Sequence, residues 1–203
     1  MINTIIFDFG NIFINLNNHA VENAFSSLGL REWNEDLKSL NLAFETGRIT
    51  EKDFLNGIKN HVPSATTDQI REAWNTILGD FPLYRLEFLQ MLSQKYRLFL
   101  LSNTDAIHID TFEHKVGMSF FSDFYQCFEK VYFSHELGLR KPETAIFNYV
   151  IKKHDLSTKR TLFIDDKKEN TDTAASLGLH VWHLKVGQED VVDLFNKKII
   201  ATV

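Results

Sequence analysis

Residues 5–13 read IIFDFGNIF. With Thr4 before it, Thr4-Ile5-Ile6-Phe7 is an unbroken apolar run that stops abruptly at an acid, Asp8. Continuous rather than alternating hydrophobicity suits a strand buried on both faces, as in a parallel sheet. The same signature recurs along the chain. Tyr96 to Leu101 (YRLFLL) ends at Ser102, Val131-Tyr132-Phe133 at Ser134, and Thr161-Leu162-Phe163-Ile164 at Asp165. Val181-Trp182, within HVWHL, is a weaker fifth. Helical patterns separate these runs. Pro142 suits the first turn of a helix whose apolar face holds Ile146, Phe147, Val150 and Ile151, and Ala174, Ala175 and Leu177 precede a stop at Gly178. Strand and helix in alternation predict an α/β fold, a doubly wound parallel sheet.

From Asn18 to Gly79 the pattern turns wholly helical. Val21, Ala24, Phe25 and Leu28 form one stripe, ending at Gly29; Trp33, Leu37, Leu40 and Phe44 form a second, ending near Gly47. Thr50 with Asp53 is a capping box opening a third helix, which carries Phe54 and Ile58. Pro63 separates a fourth, with Ile70, Trp74 and Ile77. The expected organisation is a core of residues 1–16 and 84–203 interrupted by a small four-helix unit at 17–83. That unit either completes the core or covers the carboxyl ends of the strands as a lid.

The 203 residues carry a net charge of -5, with 44% hydrophobic and 24% charged residues. That composition fits a packed globular chain. No Lys/Arg run supports a nucleic-acid or anionic-membrane partner. No uncharged apolar segment approaches the ~20 residues of a membrane span. Cys127 is the single cysteine and has no internal disulfide partner. The basic start and long apolar stretch of a signal peptide are missing at Met1-Ile2-Asn3-Thr4, so a cytoplasmic location is expected. The 18 phenylalanines are dispersed and read as core filling.

Ligands of open α/β sheets gather at the carboxyl ends of the strands. Those ends supply Asp8, Ser102 and the Asp165-Asp166 pair, with Lys141 on the loop after the third strand. Each alone has a plain structural explanation as a turn former, helix cap or solvated charge. Together they permit one coherent chemistry. Carboxylates from two strands suit a hard cation such as Mg2+ that also meets a phosphate. An aspartate can serve as covalent nucleophile, a serine hydroxyl can donate to a phosphoryl oxygen, and a lysine can spread the transition-state charge.

At these residues the chain resembles the haloacid dehalogenase superfamily. The motifs run in order as IIFDFGNIF, FLLSNTD, GLRKPE and FIDDKKEN, and the helical segment sits where that superfamily inserts its C1-type cap. DFGN, LSNT, LGLRKPE and FIDDKKEN look most like the subgroup that includes bacterial α-D-glucose-1-phosphate phosphatases. The resemblance implies a Mg2+-dependent phosphatase for a small phosphorylated metabolite, most simply a sugar phosphate, acting through an aspartyl-phosphate on Asp8. It makes Asp8 nucleophile and metal ligand, and the Gly10 carbonyl a second ligand. Asp166 becomes the direct ligand of the acidic pair, with Asp165 supporting it and Asn170 in the outer shell. Ser102, Asn103, Asn11 and Lys141 contact phosphate or substrate.

The chain departs from most such phosphatases at Gly10, where they carry a second aspartate as general acid. His19 and His108 are the histidines placed to substitute, although an ordinary surface or half-buried role is the simpler expectation for both. His180 and His183, three apart on a strand, face opposite ways and make poor co-ligands. Glu45, Arg48 and Trp74 on the helical unit are candidate substrate contacts, Trp74 fitting equally as its core. The alternatives are a 2-haloacid dehalogenase on the same scaffold, or a phosphate-binding protein without catalysis.

Overall fold

The computed structural model describes residues 1–200. β1 (Thr4–Phe7) leads into four helices: α1 (Asn18–Ser27), α2 (Glu35–Glu45), α3 (Glu51–Lys59) and α4 (Thr67–Asn75). Then follow α5 (Leu83–Ser93), β2 (Arg97–Ser102), α6 (Ala106–Val116), α7 (Met118–Gln126) and β3 (Lys130–Phe133). The chain continues through α8 (Ser134–Leu137), α9 (Thr144–Lys153), β4 (Thr161–Asp165), α10 (Lys168–Ser176) and β5 (His180–His183). The five strands form one parallel sheet in the order β3-β2-β1-β4-β5. The continuous apolar runs are explained by burial on both sides. Ile5, Phe7, Leu98, Leu100, Leu162 and Ile164 join one core cluster, while Ile6, Phe99, Leu101 and Phe163 join another on the opposite face.

β1 is central. The chain builds outward from it to β2 and β3, then returns to lay β4 and β5 on its other side. This reversal opens a crevice at the carboxyl ends of β1 and β4, where open α/β sheets bind ligands. Asp8 follows β1, and Asp165 closes β4.

The helices α1–α4 pack around Phe25, Leu37, Phe44, Phe54, Ile58, Ile70 and Trp74, and Ile107 of α6 reaches into the same cluster. The Thr50–Asp53 capping box forms as expected. Two details differ from the sequence reading. Trp33 precedes α2 instead of riding on it; freed from the helix, its ring stacks on Trp74 at 5.7 Å between centroids. Pro142 stands outside the first turn of α9, because Glu143 is the N-cap and Thr144 the first helical residue.

Two connecting segments join the four helices to the rest, and they pair with each other. Leu16 and Leu78 form an antiparallel bridge, Asn15 N–H donates to the Asp80 carbonyl, and Gly79 N–H donates to that of Asn15. A Cβ on Gly79 would lie 2.7 Å from the Asn15 carbonyl oxygen, so the close approach requires glycine. Lys115 of α6 donates to the carbonyls of Leu78 and Gly79. The buried Arg85 of α5 donates to Phe13 O and Asn15 Oδ1 while pairing with Asp190. Both crossings are thus anchored on the sheet side.

Candidate active site

Asp8 leaves β1 with its N–H donating to the Ile164 carbonyl, which ties the start of its loop to β4. The turn that follows places Asn11 at φ 58, a left-handed conformation that Asn tolerates well. Lys141 Nζ reaches across to donate to Asp8 Oδ1 at 2.8 Å and to Asp165 Oδ2 at 2.7 Å. The Lys141 side chain is 1% exposed and that of Asp165 0%. An ammonium so buried persists only because it is paired: burial lowers its pKa, but Asp165 and Asp8 overcome that, and the net shift is upward.

The two acids at the end of β4 have different surroundings. Asp165 accepts from Lys167 N–H, from Lys141 and twice from Asn170 Nδ2, so both its oxygens are engaged. Asp166 is half-buried, and its Oδ2 accepts from Asn11 Nδ2 at 2.8 Å. Its carbonyl accepts from His183 Nε2, while His180, at the start of β5, is exposed and faces Lys159 O.

Asp8, Asp165 and Asp166 each offer an oxygen within 4.8 Å of the others. Three carboxylates facing one ammonium make a strongly electronegative crevice. Burial pushes the Asp8 carboxyl up to about 7; Lys141 pulls it down, and Asp165 and Asp166 push it up again. Burial together with the two neighbouring carboxylates outweighs Lys141. Such a site favours a divalent cation bound through oxygen.

Four side chains named from sequence therefore meet here: Asp8, Lys141, Asp165 and Asp166. Ser102, 3% exposed, ends β2, the neighbour of β1. The two asparagines make hydrogen bonds within the site. Asn11 spends its amide nitrogen on Asp166 and accepts at Oδ1 from Leu16 N–H. Asn103 exchanges a pair of hydrogen bonds with the Lys141 backbone, at 2.8 and 2.9 Å. Both hold other site residues in place. The Gly10 position is walled by Leu16, whose Cδ1 would lie 2.7 Å from an added Cβ.

His19 is 93% exposed and paired with Glu22. His108 is nearly buried, with Nδ1 3.0 Å from Asp105 and Nε2 3.1 Å from the Trp74 carbonyl. Glu45 pairs with Arg140, next to Lys141, at 3.2 Å; Arg48 is exposed, and Trp74 belongs to the core of α1–α4. One residue passed over in the sequence supports the loop after β2. Ser134 Oγ accepts from Thr104 N–H and donates to Thr104 O. The available signal was that Ser134 directly follows β3 beside the end of β2, where Phe133 pairs with Ser102.

Among the described residues no helix is long and apolar enough to cross a membrane. The chain is 25% identical over 195 residues to a D-ribitol-5-phosphate phosphatase of Bacteroides thetaiotaomicron, covering 93% of this chain and 95% of the relative. Among solved structures it is similar to an enzyme of the same bacterium, described as of the HAD family. A variant of that enzyme with an aspartate replaced by alanine was crystallised with magnesium and inorganic phosphate. It superposes with a TM-score of 0.87 at 33% identity, over 96% of this chain and 99% of that one. A HAD-like hydrolase from Porphyromonas gingivalis superposes with a TM-score of 0.88 at 29% identity, over 99% of this chain and 100% of that one. The family model for haloacid dehalogenase-like hydrolases matches residues 2–178, from before β1 to the end of α10, and with the crevice just described this chain belongs to that family.

Proposed function

We propose that this chain is a Mg2+-dependent phosphatase that hydrolyses a small phosphorylated metabolite, a sugar or polyol phosphate, with Asp8 as nucleophile. The observation that carries the reading is the shared coordination of Asp8 and Asp165 by Lys141 beside Asp166. Asp8, Asp166 and the Gly10 carbonyl are the groups that would hold Mg2+, with Asp165 supporting them. Bound there, the cation neutralises the repulsion between a carboxylate nucleophile and a phosphate dianion. A 2-haloacid dehalogenase has no such dianion to neutralise, so the three-carboxylate cluster favours the phosphatase.

Asp8 Oδ attacks phosphorus and the bond to the leaving oxygen breaks, giving an aspartyl-phosphate. Water then attacks the same phosphorus and releases inorganic phosphate and Asp8. Lys141 holds Asp8 in line and spreads the charge on the transferring group, and Ser102 donates to a phosphoryl oxygen. The helices within 17–83 act as a lid that admits substrate and then excludes water. The reading is tested by phosphate release from a panel of phosphorylated metabolites with and without Mg2+. Sugar and polyol phosphates should lead the panel, and EDTA should abolish release. Release that survives EDTA would refute the metal-dependent reading.

The unequal surroundings of the acidic pair make a second prediction. Asp166→Asn should raise the Mg2+ concentration for half-maximal activity by roughly 10–100-fold. Asp165→Asn, which strips partners from Lys141 and Asn170, should instead lower kcat and thermal stability with a smaller change in metal requirement. Mg2+ titrations of both variants decide, and the reverse order would overturn the assignment.

A third prediction comes from Gly10. His19 is on the surface and both ring nitrogens of His108 are engaged, so neither supplies a proton to the leaving oxygen. The rate should depend steeply on how well the leaving group carries negative charge. Hexose 1-phosphates should exceed the matching 6-phosphates, because the ring oxygen withdraws electrons from the anomeric oxygen. Gly10→Asp combined with Leu16→Ala, which clears the space Leu16 fills, should narrow that gap. Equal kcat/KM for the paired sugar phosphates in the wild type would count against the account.

A further inference from the structure

We infer that His108, held as an imidazolium between Asp105 and the Trp74 carbonyl, is a positioning residue that keeps α1–α4 in register with the phosphate-binding loop at 102–104. The inference rests on the phosphatase reading for its kinetic consequence but not for its structural one.

The geometry is specific. Asp105 is the N-cap of α6, three residues beyond Ser102; its Oδ1 accepts from His108 N–H. Its Oδ2 accepts from Trp74 Nε1 of α4 at 3.1 Å and lies 3.0 Å from His108 Nδ1. A carbonyl oxygen only accepts, so His108 Nε2 carries a hydrogen toward Trp74 O. Nδ1 faces a carboxylate oxygen at ion-pair distance, which favours a proton on that nitrogen as well. The rings reinforce the link. Trp33, Trp74 and His108 form a continuous stack, with centroids 5.7 and 5.0 Å apart and planes within 13° and 10° of parallel. The stack begins in the four-helix unit and ends on a sheet-side helix.

The charged groups facing His108 are Asp105 at the head of its own helix and Glu45 at the end of α2; Glu45 also pairs with Arg140. Burial opposes protonation of the ring, but Asp105, the hydrogen bonds and Glu45 outweigh it and raise its pKa. Burial likewise pushes the Asp105 carboxyl up, and His108 with Trp74 brings it below its ordinary value. A histidine with a raised folded-state pKa contributes fully below its unfolded value, ~6.5, and loses that contribution as pH climbs through the folded value. The cross-link is therefore intact in acid and weakens toward alkaline pH.

Two measurements test this. In NMR titrations of the wild-type histidine rings, the His108 midpoint should lie above ~6.5. The Trp74 Nε1 proton should exchange faster as His108 deprotonates. Asp105→Asn should move that midpoint down. A His108 that titrates at or below the ordinary value overturns the proposal, whether or not any substrate is turned over. Kinetically, His108→Gln should lower kcat/KM for a sugar phosphate about tenfold, the worth of one such hydrogen bond, mostly through KM. It should also abolish the descending alkaline limb belonging to His108. Trp74→Phe, which keeps the stack but removes one donor, should retain that limb with a smaller loss. An alkaline limb unchanged in His108→Gln would also overturn the proposal. Phosphatase inactivity of the wild type toward the whole panel would leave the NMR result to decide it alone.

Discussion

Asp8→Asn should yield a folded protein whose phosphate release falls by about ten-thousand- to a million-fold, as when a nucleophile is removed from other hydrolases. The amide is nearly isosteric but cannot form the acyl-phosphate bond. The substitution is also informative about stability. Burial raises the wild-type carboxyl to about 7, far above the ~3.9 of an unfolded chain, while Lys141 opposes the rise and Asp165 adds to it. A carboxyl raised in the folded state contributes fully below the unfolded value and loses that contribution as pH climbs through about 7. Asn mimics the protonated form at every pH. In metal-free buffer, Asp8→Asn should therefore melt at or above the wild-type temperature at pH 8, with the gap closing as pH falls toward ~4. Thermal melts across that range check the sign, and a variant less stable at pH 8 would contradict it.

Lys141→Met should have the largest effect on stability. Met approximates the length of the lysine stem but leaves Asp8 and Asp165 facing each other without a cation. Removing one partner from a buried ionic cluster costs about 3–5 kcal/mol. The deficit should be greatest at alkaline pH without metal. It should shrink in acid, as the carboxylates take up protons, and on adding Mg2+, which supplies the missing positive charge. Activity should fall by about 100- to 1000-fold even with saturating Mg2+, because a donor aimed at the transferring group is lost. Denaturant titrations at two pH values, with and without Mg2+, separate these effects. A variant as stable as the wild type in metal-free alkaline buffer would show that the Lys141 pairing contributes little.

The parts legible in the sequence share a physical cause. Strands buried on both faces must be apolar throughout, so Thr4-Ile5-Ile6-Phe7 and Thr161-Leu162-Phe163-Ile164 stand out, and the residues that end them mark the crevice. Asp8, Lys141, Asp165 and Asp166 could be named because parallel strands deliver their carboxyl ends to one edge. The roles of the amides were hidden. Asn11 and Asn103 could be named for the chemistry of substrate contact, but the hydrogen bond each makes to a partner 155 or 38 residues away is encoded by no local pattern. Trp33 followed helical spacing into α2, yet it precedes the N-cap Asn34 and its ring stacks on Trp74. His108 looked like an ordinary half-buried histidine because its partners, Asp105 apart, come from α4 across the fold.

The most direct test is rapid acid quench of the wild type reacting with an activated aryl phosphate and Mg2+, followed by mass spectrometry of the peptide containing Asp8. A good leaving group speeds formation of the intermediate relative to its hydrolysis, so the intermediate accumulates. The account predicts a phosphoryl group on Asp8 that appears within the first turnover, requires Mg2+ and is lost in Asp8→Asn. Phosphate release at the wild-type rate from Asp8→Asn, or a phosphoryl group trapped on any other residue, would contradict it.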